Sequence, residues 1–303
     1  MHSYTVLDGG LATELERRGE DLSDHLWSAR LLIDDPALIR QVHSDYFDAG
    51  AQVAITATYQ ASAGGFAERG IDPDDANDLM RLAVQLAREA AERTPRAGER
   101  NLLVAASIGP FGATLANGSE YTGDYGGTTV EQLIEFHRAR IQVLASTGPD
   151  MFAVETIPSL VEAEALAIVL SEIPETPAWV SFSCRDGERL SDGTPIEQAA
   201  RIAASTPSVV AVGVNCTPGR FISPLLQRLH EATAAPAVVY PNAGGRWDAE
   251  ARRWTDAAPD DAEALAHAAP TWIDENARWV GGCCGFGVDA IASLAAGVAQ
   301  PAP

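Results

Sequence analysis

Apolar and β-branched residues gather along this chain in short runs, and each run is followed by a stretch whose apolar positions recur at helical spacing. Such alternation is the signature of βα units. Eight strands are predicted, at Tyr4–Asp8, Gln52–Thr56, Leu102–Ser107, Met151–Glu155, Ala178–Ser183, Val209–Val214, Ala237–Tyr240 and Trp279–Gly282. Between them, helical periodicity covers Pro36–Ala49, Asp74–Arg93, Thr129–Thr147, Ser159–Ser171, Pro195–Ala204, Ser223–Ala234 and Asp260–His267. Asp35-Pro36 and Thr129 with Gln132 are helix starts, a capping carboxylate before proline and an approximate capping box. Gly50 and Gly148 sit where helices end. Eight βα repeats fit a closed (β/α)8 TIM-type barrel of the α/β class, whose usual size is roughly 250 residues plus insertions. A doubly wound open sheet normally needs fewer strands. With no Gly/Ser linker or charge run to divide it, the chain is expected to form a single domain over residues 1–303, with 301–303 a frayed tail.

Composition narrows the partners. Of 303 residues, 46% are hydrophobic, enough to bury a large core, and 21 Lys and Arg against 42 Asp and Glu give a net charge of −21. That field repels phosphate backbones and anionic membrane surfaces, so no nucleic acid and no membrane partner is expected. No apolar run approaches the roughly 20 residues that span a bilayer, and Met1 to Gly10 carry neither a basic nor a hydrophobic signal region. A cytoplasmic location is the expectation.

In a barrel the chemistry gathers where strands end at the carboxyl face, and those ends therefore carry the most weight. They hold Asp8-Gly9-Gly10, Thr56 to Tyr59, Ser107 to Pro110, Glu155-Thr156, Ser183-Cys184, Asn215-Cys216, Tyr240-Pro241-Asn242 and Cys283-Cys284. Gly109 to Gly127, without a strand candidate, is a structured loop after the third strand. The chain has four cysteines, too few for a disulfide framework, and adjacent cysteines bridge only through a strained ring. Cys216, Cys283 and Cys284 fall at the ends of strands six and eight and could converge. Three thiolates with no fourth of their kind match a zinc site that keeps one position open. A redox or structural role for Cys283 and Cys284 is the other reading, and Cys184 is expected to be a small buried hydrophobe. The histidines, His43 and His137 among them, show no metal-binding spacing and are expected on surfaces or between packed helices.

These residues resemble the homocysteine S-methyltransferase family over nearly the whole chain. The resemblance lies in Asp8-Gly9-Gly10-Leu11-Ala12-Thr13, Leu26-Trp27-Ser28-Ala29, Thr56-Ala57-Thr58-Tyr59-Gln60-Ala61, Gly109-Pro110-Phe111-Gly112-Ala113, Gly118-Ser119-Glu120-Tyr121, Glu155-Thr156-Ile157-Pro158, Val214-Asn215-Cys216, Tyr240-Pro241-Asn242 and Gly281-Gly282-Cys283-Cys284-Gly285, in order. The chain departs from the family at Asn242-Ala243-Gly244-Gly245, where many relatives carry a serine and a Gly-Glu pair.

The resemblance implies a (β/α)8 barrel, Zn2+ on Cys216, Cys283 and Cys284, and L-homocysteine with its amino group on Asp8 and Glu155. The same resemblance puts the homocysteine carboxylate at Gly9 and the Trp27–Ser28 segment, and makes Asn215 a substrate-site residue. The implied reaction takes a methyl group from S-methylmethionine, or S-adenosylmethionine, to the zinc-bound homocysteine thiolate and yields methionine. A cationic donor favours aromatic faces, for which Trp27, Tyr59, Tyr121 and Tyr125 are candidates. The chain ends soon after the Cys-Cys motif, where betaine-dependent relatives carry an extension used in oligomerisation; a monomer or weak homo-oligomer is expected. The alternatives are a selenocysteine or selenohomocysteine acceptor, a betaine-type donor, and a metal-free barrel with redox-active vicinal thiols.

Overall fold

The computed structural model describes residues 4–22, 26–96, 102–244, 246–248, 253–255 and 261–299, so the expected tail at 301–303 lies outside the described residues. Eight parallel strands form one sheet: β1 (Thr5–Val6), β2 (Val53–Ile55), β3 (Leu103–Ile108), β4 (Met151–Ile157), β5 (Ala178–Phe182), β6 (Val209–Pro218), β7 (Ala237–Asn242) and β8 (Ala277–Val280). Their order is β1-β8-β7-β6-β5-β4-β3-β2, and a parallel bridge from Leu7 to Val53 brings β1 onto β2 and joins the two ends. The sheet is the barrel, not the open alternative.

Among the described residues the longer helices that surround it, each following its strand, are α1 (Pro36–Ala49), α2 (Pro73–Arg93), α3 (Val130–Ala145), α4 (Leu160–Ser171), α5 (Ile196–Ala204), α6 (Ile222–Ala232), α7 (Ala262–Asp274) and α8 (Val288–Ala299). The start signals act as their chemistry requires. Asp35 accepts the Leu38 N–H at 3.1 Å to cap α1, and Thr129 and Gln132 complete a reciprocal capping box on α3. Helix α7 runs past the expected stop at His267, through Pro270. The final helix, α8, was not among the predicted segments; it packs against α7 and α1. A short antiparallel hairpin, Arg246–Asp248 with Arg253–Thr255, lies between β7 and α7 and was likewise unpredicted.

Strand side chains alternate between two apolar regions. Leu7, Val53, Ala105, Ala153, Trp179, Ala211 and Val238 fill the barrel interior, while Ala178, Val180 and Phe182 of β5 face the helix ring. Burial on both faces explains why the strands read as near-continuous apolar runs. Above the apolar interior comes a polar layer. The Trp179 indole donates to the Tyr240 hydroxyl at 2.9 Å, that hydroxyl meets Ser181 Oγ at 2.7 Å, and Ser181 donates to Asn215 Oδ1 at 2.8 Å. This layer is the floor of the mouth at the carboxyl ends of the strands.

Candidate active site

The strand ladders break at the mouth. Register shifts occur on β4 between Val154 and Ile157, flanking Glu155 and Thr156, and on β6 between Asn215 and Pro218, flanking Cys216. Irregularities of this kind re-aim side chains at the rim of a barrel. Cys216, expected just beyond its strand, lies within β6 at one of these breaks, with φ of +46°.

Cys216, Cys283 and Cys284 converge, with their sulfurs all within 4.8 Å of one another. The sulfur of Cys284 is 3.8 Å from that of Cys216 and 4.0 Å from that of Cys283. Zinc with four ligands at about 2.3 Å requires tetrahedral neighbours about 3.8 Å apart, so two of the three sulfur pairs already have about that spacing. They are too far apart for disulfides, and all are free thiols. Cys216 is held well below the usual thiol range, because the Cys283 and Cys284 thiols donate toward it and the Tyr121 hydroxyl lies 3.6 Å away. The turn after β8 folds tightly to present its pair: Gly285 has φ of +88°, and a Cβ there would lie 2.5 Å from Ala243 Cβ. Cys184 is buried at the end of β5, apart from the cluster, and burial raises its thiol.

Two buried carboxylates stand beside the thiols. Asp8 Oδ2 accepts the Ile55 N–H at 2.7 Å, whereas Asp8 Oδ1 is buried with no hydrogen-bond partner. Glu155 accepts from Ser107 Oγ and sits against Tyr240. Burial pushes Glu155 up to about 7 and Asp8 well above its usual range, and the proximity of Glu155 raises Asp8 further. Two desolvated acids with an unused acceptor make a place for a cation. Glu120, quoted in a motif but given no role from the sequence, is a third: its Oε2 has no partner, and burial pushes it up to about 7.

The cleft has a volume of about 660 Å3 counted out to solvent. Gly9, Trp27, Ser28, Tyr59, Tyr121 and Glu155 line it together with the three cysteines, and no basic side chain does so among the described residues. Trp27 and Tyr59 meet edge to face, ring centroids 6.0 Å apart. Three expected site residues, Asp8, Asn215 and Tyr125, are not among those that line it. Asn215 is fully buried, with Oδ1 accepting the Thr156 N–H and Nδ2 donating to Thr156 Oγ1, both at 2.7 Å. Tyr125 donates its hydroxyl to Glu162, away from the cleft lining. In the departing segment, Asn242 Nδ2 donates to the Cys216 carbonyl at 2.9 Å, and Gly245 lies outside the described residues.

Behind the mouth, a group of buried polar side chains escaped the sequence. The Arg140 guanidinium on α3 donates to the carbonyls of Gly109, Thr58 and Tyr59, each at 3.0 Å, and so ties the ends of β2 and β3. His43 and His137 are both fully buried, which removes the surface option for them. His137 Nε2 meets Glu162 Oε1 at 2.8 Å.

Known proteins are similar to this chain in sequence and in architecture. The sequence profile described as Homocysteine S-methyltransferase matches residues 5–298. The chain is 47% identical over 296 residues to homocysteine S-methyltransferase YbgG of Bacillus subtilis, covering 96% of this chain and 93% of that protein. It is 43% identical over 293 residues to selenocysteine Se-methyltransferase of Brassica oleracea, covering 93% of this chain and 85% of that protein. The crystal structure of homocysteine methyltransferase MmuM from Escherichia coli, metallated form, superposes with a TM-score of 0.86 at 45% identity, over 97% of this chain and 96% of that one. With a profile match over nearly its whole length, the chain belongs to the homocysteine S-methyltransferase family.

Proposed function

We propose that the cleft transfers a methyl group from a sulfonium donor, S-methylmethionine first and S-adenosylmethionine second, to L-homocysteine, with Zn2+ held by Cys216, Cys283 and Cys284. The observation that carries this reading is the convergence of three sulfurs at a cleft that the buried Glu155 carboxyl also lines. A thiol is mostly protonated at neutral pH with a pKa of about 8.5, and bound zinc supplies its deprotonation.

The protein's own residues do the positioning. Asp8 Oδ1 and Glu155 receive the homocysteine ammonium through charge-assisted hydrogen bonds, which offset the desolvation of both carboxylates. Gly9 and the Trp27–Ser28 segment receive the carboxylate. Tyr59 and Tyr121, with the face of Trp27, border the donor, where aromatic faces and Glu120 favour a positive charge. The leaving group of a sulfonium is a neutral thioether, so no general acid is needed, and no histidine lines the cleft among the described residues. Asn215 and Tyr125 act from behind the wall and not as ligand contacts.

The test is a panel of donors with homocysteine, scored by methionine formation and repeated after chelation. S-methylmethionine is expected to be the best donor and chelation to abolish turnover. Betaine as the sole donor would overturn the donor assignment, and turnover indifferent to chelation would overturn the metal. A second acceptor class is favoured by similarity to the Brassica protein named as a selenocysteine methyltransferase. Selenocysteine and selenohomocysteine therefore belong in the panel. Protein purified without chelator and holding under about half an equivalent of zinc, unchanged by Cys284→Ala, would favour redox-active thiols.

A further inference from the structure

The loop from Gly109 to Gly127 places Tyr121 in the cleft with its hydroxyl 3.6 Å from Cys216 Sγ. Both flanks of that loop end on one buried carboxylate. Upstream, the Phe111 N–H donates to Glu162 Oε1 at 2.6 Å; downstream, the Tyr125 hydroxyl donates to Glu162 Oε2. Glu162, on the first turn of α4, is itself fully buried, and His137 Nε2 of α3 braces it at 2.8 Å.

The segment between these anchors has little room to rearrange. The Phe111 ring meets the Tyr125 ring edge to face at 5.5 Å, and a Cβ on Gly112 would lie 2.6 Å from the Tyr125 ring. Beside Tyr121, the Glu120 carbonyl accepts from Ser183 Oγ at 3.1 Å. Neither Glu162 nor Tyr125 is among the residues that line the cleft.

We propose that Glu162 and Tyr125 are positioning residues that hold the Tyr121 hydroxyl against the Cys216 sulfur, and so set the electron density on that sulfur from behind the cleft. This rests on the reading of Cys216 as a metal ligand. A hydrogen bond to a ligating sulfur withdraws charge from it, and partners of metal ligands cost about 10–100-fold in activity when lost. Tyr125→Phe removes the downstream anchor without altering the shape of the packed ring. Loss of the anchor therefore reaches the sulfur through Tyr121 alone.

The experiment is a double-mutant cycle on the full chain with Tyr121→Phe, Tyr125→Phe and the pair. In cobalt(II)-loaded protein, loss of the hydrogen bond moves the thiolate-to-metal charge-transfer band to longer wavelength. The expected result is a similar shift in each single variant, with no further shift in the double. kcat/KM for methyl transfer should fall about tenfold in each single variant and stay about tenfold in the double. A wild-type band in Tyr125→Phe, or a roughly hundredfold loss in the double, would overturn the proposal.

If the unsubstituted chain shows no charge-transfer band, it is the metal reading that fails. The anchor is then judged by the rate at which iodoacetamide alkylates Cys216 in protein as purified, resolved by peptide mass. Equal changes in the two singles and the double support it, and a wild-type rate in Tyr125→Phe refutes it. Glu162→Gln, which keeps one acceptor, is expected to act in the same direction as Tyr125→Phe.

Discussion

Glu155→Gln separates the two consequences of burying an acid where a cation is meant to bind. Burial pushes the Glu155 carboxyl from 4.5 to about 7, a displacement of about 2.5 pH units, equivalent to about 3.4 kcal/mol. The folded value lies above the unfolded one. The contribution to stability is therefore fully present below pH 4.5 and is lost as pH rises through 7. Between pH 5 and 8.5 the linkage relation puts that loss at about 2.5 kcal/mol. Glutamine mimics the protonated acid, so the variant is expected to lose nothing over this interval from the site. Urea unfolding of ligand-free protein at both pH values, in one metal state, measures the difference between the two slopes. The ligand experiment must run the other way: without its charge, KM for homocysteine should rise about 10–100-fold, since hydrogen bonds to charged groups contribute about 1.5–3 kcal/mol. KM for the donor should stay within about twofold on the same reasoning. Equal pH slopes in the two proteins, or an unchanged KM for homocysteine, would refute the assignment of Glu155 as a buried acid reserved for an ammonium.

Three further substitutions probe other parts of the molecule. Cys284→Ala should leave less than about half an equivalent of zinc by metal analysis and abolish methionine formation, because two sulfurs do not hold the ion with the affinity of three. Arg140→Met strands three carbonyls at the ends of β2 and β3, and should cost about 3 kcal/mol or more in urea unfolding at roughly 1 kcal/mol each. Because Tyr59 is one of the three, the donor KM of that variant should rise more than the homocysteine KM, and the opposite order would count against the donor face. His43, buried with neither ring nitrogen partnered, is lowered from 6.5 to about 4. Its folded value lies below the unfolded one, so stability is present above pH 6.5 and falls as the pH drops toward 4; about 2 kcal/mol should be lost by pH 5, and His43→Leu should remove that slope.

The barrel was legible because each strand is buried on both faces and each surrounding helix on one, and those periods survive in a single sequence. The converging cysteines followed from the same reading. Cys216 lies on β6 and Cys283 just after β8, strands separated in the sheet only by β7, so topology brings together residues far apart in sequence. What stayed hidden was polar and internal. Arg140 and His137 sit on α3, whose exposed face is also rich in charge, and Glu162 opens α4, where an acid is expected at any helix start; nothing in their spacing says that these three point inward. The motifs containing Asn215 and Tyr125 were visible, but a motif does not say which of its side chains faces the ligand. Both are turned to the wall.

That wall explains how the cleft keeps its shape. Trp27, Thr156 and Cys216 line it with φ of +49°, +61° and +46°, a left-handed region that non-glycine residues occupy at a cost of about 1–3 kcal/mol each. Such residues persist only where their surroundings hold them, and two asparagines hold Thr156 and Cys216. Asn215 grips Thr156 by both its N–H and its hydroxyl and is fixed in turn by Ser181, while Asn242 holds the Cys216 carbonyl. The asparagine next to Cys216 in the chain thus serves β4, across β5, and the one that serves Cys216 comes from β7. Because both clamps run between strand ends, Cys216 and the Glu155–Thr156 corner are set relative to one another by the barrel. The Gly109–Gly127 segment, which also reaches the cleft, is held from two sides: Ser183 at the end of β5 donates to the Glu120 carbonyl, and the buried Glu162 carboxylate accepts from Phe111 N–H and the Tyr125 hydroxyl, which is why its tie to Glu162 matters.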